Sequence, residues 1–216
     1  MKQINYAEGG YVTKEFVEKY SDKKHEDFFI IPPNIRQAQS IVGTSKGRPE
    51  NDFYPTPPEA TEGLLNNYKF KKNIIWECAC GDGAISKVLK RYGFDVISSD
   101  KYDYGYGAYG YDFLEFESRF SDTIITNPPF KLAEEFIRHA FNIKVTNLAL
   151  LLKLSFLEGQ KRKQLFSELP PKEILVFSKR LTMTRNGEPL RNGGMIAFAW
   201  FIWEFENKTY PIVRWI

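Results

Sequence analysis

Asn127-Pro128-Pro129-Phe130 is the stretch of this chain best equipped for chemistry, and it follows directly on Thr123-Ile-Ile-Thr126. The apolar tetrapeptide reads as a buried strand. Two successive prolines cannot continue a ladder, because neither has an N–H to donate and each fixes φ. Pro128 also biases Asn127 away from the helical region. The strand therefore ends on a rigidly held amide, with an aromatic ring three residues on. Open α/β sheets place their ligands at this edge of the strands. A fixed amide beside a ring suits a flat, hydrogen-bonding ligand, although a Pro-rich turn alone would carry the same residues.

The elements needed to position that amide lie upstream. Asn73-Ile-Ile-Trp-Glu77 reads as a strand that runs into the turn Cys78-Ala-Cys-Gly-Asp-Gly83. Ile85, Val88, Leu89 and Tyr92 then follow at helical spacing, and Gly93 closes the helix. Phe94 to Asp100 forms the next strand and ends in an acid. This β-loop-α-β unit is the nucleoside-binding half of a doubly wound sheet: small turn residues let backbone approach a ligand, and the acid suits ribose hydroxyls. The third glycine of a dinucleotide fingerprint is missing, since Ser86 stands three residues past Gly83. Ahead of the unit, Thr56-Pro57-Pro58-Glu59 reads as a capping box opening a helix to about Asn67, with Thr56 as cap and Pro57 as first helical residue. Tyr102 to Tyr111 alternates tyrosine with glycine, reads in its first half as a flexible surface loop, and delivers Asp112-Phe113. Further helices and strands follow Phe130. A polar, basic loop at 179–194 then leads into one long aromatic strand, Met195 to Phe205.

The composition narrows the alternatives. The 216 residues suit one domain, are 43% hydrophobic and include 18 Phe, 12 Tyr and 4 Trp. The start lacks an apolar signal region, and the longest apolar run near the end, Met195 to Trp203, is too short to span a bilayer. A soluble, cytoplasmic protein without membrane contact is expected. Two cysteines, Cys78 and Cys80, and two histidines supply no zinc shell, and the cysteine spacing suits no disulfide. No metal is expected. The net charge of +3 is unevenly spread: Lys153 to Arg191 holds nine basic and four acidic residues. Such a face suits a polyanion, although solvated surface is the commoner origin of a basic run.

These residues together resemble the class I S-adenosylmethionine-dependent amino-methyltransferases. Trp76-Glu-Cys-Ala-Cys-Gly-Asp-Gly83 is similar to their cofactor motif, with Cys78 in the usual place of proline. Tyr54-Pro-Thr-Pro57 resembles the motif ahead of it, and Asn127-Pro-Pro-Phe130 the catalytic signature. Leu152-x-x-x-Phe156-Leu-Glu-Gly159-x-x-Arg162 resembles a block of phage and bacterial DNA N6-adenine methyltransferases, and the motifs stand in the gamma order. The resemblance covers about residues 51–205. It implies an α/β, Rossmann-like fold: a mostly parallel seven-stranded sheet with an antiparallel C-terminal hairpin and helices on both faces. Residues 1–50 would be an extension packed on the domain 51–216.

The same resemblance implies roles. Glu77, Ala79 and the Gly81–Gly83 backbone would hold the methionine part of S-adenosylmethionine, and Thr56, with Tyr54 in its motif, would meet the carboxylate. Asp100 would take the ribose hydroxyls, Asp112 the adenine amine, and Phe113 would lie beside the ring. Asn127 and the Pro128 carbonyl would accept from the target amine, Pro129 would hold the turn, and Phe130 would stack on an extruded base. A sulfonium methyl is already activated, so alignment and charge stabilisation suffice without a general base. Arg180, Arg185 and Arg191 are the expected phosphate contacts. The expected partner is DNA, with RNA second, and a short or relaxed recognition sequence follows from the lack of room for a separate target domain. RNA adenine, a protein glutamine, or an inactive nucleic-acid-binding relic are the competing readings. The oligomeric state is not legible.

Overall fold

A computed structural model describes residues 54–71, 73–182, 184–185, 188–189 and 196–216. The head, 1–50, and with it the expectation of a packed extension, lies outside the described residues.

Helix α1 (Pro58–Asn67) precedes β1 (Ile75–Glu77), α2 (Ala84–Arg91), β2 (Val96–Asp100) and the two-residue β3 (Ala108–Tyr109). Then come β4 (Thr123–Thr126), α3 (Ala133–Asn142), β5 (Asn147–Lys153), α4 (Gln160–Glu168) and β6 (Glu173–Val176). A small hairpin, β7 (Thr184–Arg185) with β8 (Glu188–Pro189), leads to β9 (Phe198–Glu204) and β10 (Ile212–Trp215).

The main sheet runs β10-β6-β9-β5-β4-β1-β2-β3. Only β9 is antiparallel to its neighbours. The chain winds outward from β1 through β2 to β3, then returns to lay β4 on β1's other side. That reversal opens a crevice at the carboxyl ends of β1 and β4, where such sheets bind ligands.

Period-two alternation builds two cores, one on each face. Leu148, Leu150, Leu152, Phe201 and Trp203 meet α3 and α4 on one face. Ala149, Leu151, Trp200 and Ile202 meet α1 and α2 on the other. The indoles are satisfied as they are buried: Trp76 donates to Ser99 Oγ at 2.9 Å, Trp200 to the Ala60 carbonyl at 2.7 Å and Trp203 to the Leu169 carbonyl at 3.0 Å.

The α/β fold with helices on both faces and an antiparallel strand near the C terminus is as expected, with two corrections. The sheet has eight strands, because Ile212-Val-Arg-Trp215 adds a parallel edge strand against β6, its Ile212 N–H donating to the Lys172 carbonyl at 3.0 Å. All four of its residues are exposed, so no alternating burial betrayed it. Second, α1 starts at Pro58 with Pro57 as its cap and no side-chain cap bond. With two prolines ahead of the first free N–H, the Thr56 hydroxyl is left for another partner. The second half of the Tyr/Gly stretch, which the loop reading did not cover, contains β3, pressed onto β2. A Cβ on Gly107 would stand 2.7 Å from Cys80 Sγ and 2.9 Å from the Ser98 carbonyl, so only glycine fits there.

Candidate methyl-transfer site

The crevice has two halves. The first forms where β1 ends. Backbone at Gly81 and Gly83 turns through left-handed conformations (φ 52° and 78°), and Gly83 caps α2. Asp100, at the end of β2, ties this turn to the sheet: Oδ2 accepts from Gly81 N–H at 2.8 Å and Oδ1 from Tyr102 N–H at 2.9 Å. Burial raises the carboxyl's pKa from its ordinary value, with the backbone donors opposing the shift. A carboxylate has about four acceptor sites, so hydroxyl donors still find room.

Glu77 is 1% exposed and its contacts run inward. It accepts from the Ser86 N–H at 2.8 Å and from the Ser86 hydroxyl, which in turn meets Ser98 Oγ at 2.6 Å. Burial pushes its carboxyl well above the usual range. Ala79, half-buried at the mouth, accepts at 3.4 Å from Thr126 Oγ1 and links the turn to β4. Burial likewise pushes the Cys78 and Cys80 thiols up, which makes both poor nucleophiles.

Asp112 caps a short 3-10 turn (Phe113–Glu115), accepting from Leu114 N–H at 3.0 Å, while its other oxygen pairs with Lys101 Nζ at 2.7 Å. Phe113, expected beside the adenine ring, is held on the core side of the Asp112 turn. It is 2% exposed and packed against Trp76, Phe136 and His139 with ring centroids 4.8–5.3 Å away, so it anchors the Asp112 turn from the core. An unforeseen lid covers Gly83. The Tyr106 ring sits where a Cβ on Gly83 would meet it at 2.3 Å, with Lys87 Nζ 5.1 Å and Lys90 Nζ 5.6 Å from the ring centroid.

The second half forms where β4 ends. Asn127 donates from Nδ2 to Thr56 Oγ1 at 3.0 Å and to the Tyr54 carbonyl at 3.4 Å. Those bonds use the amide's hydrogens and orient Oδ1 as the unspent acceptor. Oδ1 is shielded from solvent and has no partner among the described residues. Thr56 and Tyr54, which the resemblance had set on the cofactor, thus bond the Asn127 amide in this structure. Tyr54 also stacks on Phe130 (centroids 6.3 Å, 23° between planes), and Phe198 lies on Phe130 at 5.8 Å.

Beside Phe130 opens a cleft of about 410 Å³, lined among others by Tyr54, Lys131, Lys153, Phe156 and Arg162. Lys153 Nζ stands 4.6 Å from the Phe130 centroid, and the Arg162 guanidinium 4.1 Å from that of Phe156 while pairing with Glu134. The sequence reading did not single out Lys131 or Lys153. The available signal was position: Lys131 follows the Asn-Pro-Pro-Phe tetrapeptide, and Lys153 ends β5 after the apolar run Leu148 to Leu152, at the strand's carboxyl end. Of the expected phosphate contacts, Arg180 is exposed just past β6 and Arg185 lies on β7, while Arg191 is outside the described residues.

No family profile matches the chain, and no characterised relative does. Solved structures do. One is a Pyrococcus horikoshii protein proposed to be an RNA methyltransferase (17% identity, TM-score 0.52, covering 70% of this chain and 86% of that one). Another is a predicted O-methyltransferase of Agrobacterium tumefaciens (15%, 0.52, 74% and 86%). The fold is that of the Rossmann-like methyltransferases. A third match is the methyltransferase subunit of a type I restriction-modification system from Streptococcus thermophilus (13%, 0.50, covering 72% of this chain). This chain spans 45% of that subunit's length. At these identities the likeness is one of fold, and the three proteins differ in what they are named for. Among the described residues, no helix of this methyltransferase fold is long and apolar enough to cross a membrane.

Proposed function

We propose that this chain transfers a methyl group from S-adenosylmethionine to the exocyclic N6 amine of adenine in DNA, with short or relaxed sequence specificity. One observation carries the reading. Asn127 sits at the switch point of a methyltransferase fold, with its amide hydrogens spent on Thr56 and Tyr54 and its carbonyl oxygen left without a donor among the described residues. A buried acceptor without a partner costs about 1–3 kcal/mol, which a bound amine would recover.

The residues fit the cofactor. Asp100 keeps acceptor sites for ribose hydroxyls, and the Ala79 to Gly83 turn gives close backbone approach, with Gly81 N–H fixed by Asp100. When bound, the sulfonium supplies an activated methyl with a neutral thioether as leaving group. The chain's own residues do the rest. Asn127 Oδ1 and the Pro128 carbonyl accept the two amine hydrogens, so the nitrogen lone pair turns out of conjugation and toward the methyl. Phe130 carries the base, and the amine proton passes to solvent after transfer. Oδ1 is shielded in this structure, so the groups above it must shift before an amine reaches it.

Methylation of RNA adenine or a protein glutamine would use the same acceptor, and the basic stretch after β5 favours a polyanion over a peptide. The test is nucleoside mass spectrometry of DNA from cells expressing the chain. N6-methyladenine that disappears in Asn127→Ala supports the reading. Methyl groups found only in RNA or on glutamine redirect the substrate. A chain that neither methylates nor binds S-adenosylmethionine in calorimetry is a relic of the fold.

A further inference from the structure

The cleft beside Phe130 is strongly cationic for its size. Lys131, Lys153 and Arg162 line it against a single acid, Glu158. Arg162 is already committed to Glu134, itself shared with Arg138, in a chain of charges that continues to Glu168. Lys131 and Lys153 make no ion pair among the described residues. Lys153 instead rests its ammonium on the face of Phe130, the weaker alternative open to a cation without a carboxylate. The fold has thus placed two charges without an ion-pair partner among the described residues in the cleft beside the ring that would carry the target base, one from the chain neighbour of Phe130 and one from the end of β5.

We infer that Lys131 and Lys153 form a phosphate site for the nucleotide whose base stacks on Phe130, with Lys153 also serving as a placeholder on that ring until the phosphate draws it away. This rests on the proposed reading of Asn127 and Phe130 and narrows its substrate to a nucleic acid strand. A nucleotide carries its phosphate within a sugar's length of its base, whereas a glutamine side chain carries no anion and would leave both ammonium groups unanswered. Ser155, exposed on the cleft wall, adds a hydroxyl of the kind phosphates accept bonds from. The placeholder role follows from geometry: an ammonium 4.6 Å over the ring occupies the space a stacked base needs. Base docking and phosphate capture then occur together.

The test is equilibrium binding of a short labelled oligodeoxynucleotide with one adenine, followed over a salt series by fluorescence anisotropy. Each phosphate contact removed lowers the slope of log K against log salt by about 0.7 for a single strand. Lys131→Gln and Lys153→Gln are each expected to lower it by about that amount and to weaken low-salt binding several-fold, and the double variant to lower it by about twice as much. Lys208→Gln, just after β9, whose end pairs with Asn147 at the opposite end of β5 from Lys153, should leave the slope unchanged. Wild-type slopes in both cleft variants overturn the inference, as does methylation of a glutamine peptide by a chain that does not bind the oligonucleotide. Binding is read without methyl transfer, so the two readings fail separately. A lowered slope with no methylated DNA leaves the phosphate site standing and removes the proposed reaction. Methylated DNA with unchanged slopes does the reverse. The ribo-oligonucleotide of the same sequence forms a second arm, and its tighter binding would overturn DNA as the source of the phosphate.

Discussion

The two halves of the crevice are built on opposite principles. Around β1 and β2, polar groups answer one another: Glu77 is held by Ser86, Asp100 by two backbone N–H groups, and Asp112 by Lys101 and Leu114. Around β4 and β5, the decisive groups lack partners. Among the described residues, Asn127 Oδ1 has no donor and Lys131 and Lys153 have no carboxylate. A satisfied set stabilises the fold and must exchange partners when a ligand arrives. An unsatisfied set costs stability and is returned that cost only on binding. The cofactor half is therefore expected to bear on folding as well as binding, and the target half on turnover.

The sharpest way to break that contrast is Asn127→Ala. It should lower kcat by about 10²–10³-fold, the scale of losing one preorganised hydrogen bond at a reacting group, while S-adenosylmethionine affinity by calorimetry stays within about threefold. Loss of cofactor binding in this variant would mean the halves are one unit. Asp100→Asn comes next. Removing the charge should weaken cofactor binding by about ten- to a hundredfold, and because one backbone donor loses its acceptor, the thermal midpoint should fall as well.

Glu77→Gln tests the stability side through pH. Burial raises the folded-state pKa of Glu77 above its ordinary 4.5, so the folded chain holds this proton more tightly than the unfolded one. The contribution is fully present below the unfolded pKa and is lost as pH rises from about 4.5 through the folded value, by at most about 1.4 kcal/mol per pH unit. Gln does not titrate. Denaturant titrations should show wild type losing ground to Glu77→Gln across that window, and a constant difference would show that Glu77 stays ionised in the fold. The smallest effect is expected for Lys101→Met. Its partner Asp112 is 20% exposed and Lys101 55%, so stability should change by less than about 1 kcal/mol. Cofactor affinity should tighten by about two- to fivefold, because Asp112 no longer has to leave an ammonium. Weaker binding would assign Lys101 to the ligand.

Much of the cofactor half was legible because its signals are local. A strand, a small-residue turn, a helical period and a terminal acid occupy Ile75 to Asp100, and each reads from spacing alone. The packing of Phe113 was not legible, because its neighbours Trp76 and Phe136 come from distant elements and no short window records their convergence. Tyr106 was passed over as loop because a tyrosine among glycines has no period. Its place over Gly83 exists only once β3 pairs with β2.

The sequence by itself determined the rigid end of β4: two prolines stop a strand wherever they stand, and Asn127 and Phe130 are fixed to them by covalent geometry. The α/β class followed in the same way, from alternating apolar runs and helical periods. The tertiary structure alone decided which atom of Asn127 is free. That depends on Thr56 and Tyr54, seventy-one and seventy-three residues away, offering oxygens to its Nδ2. It also decided that Lys153, at the end of β5, lies over the ring of Phe130. Strand order is a long-range property set by packing the whole sheet, and it brings together side chains whose separation in sequence carries no trace of their contact.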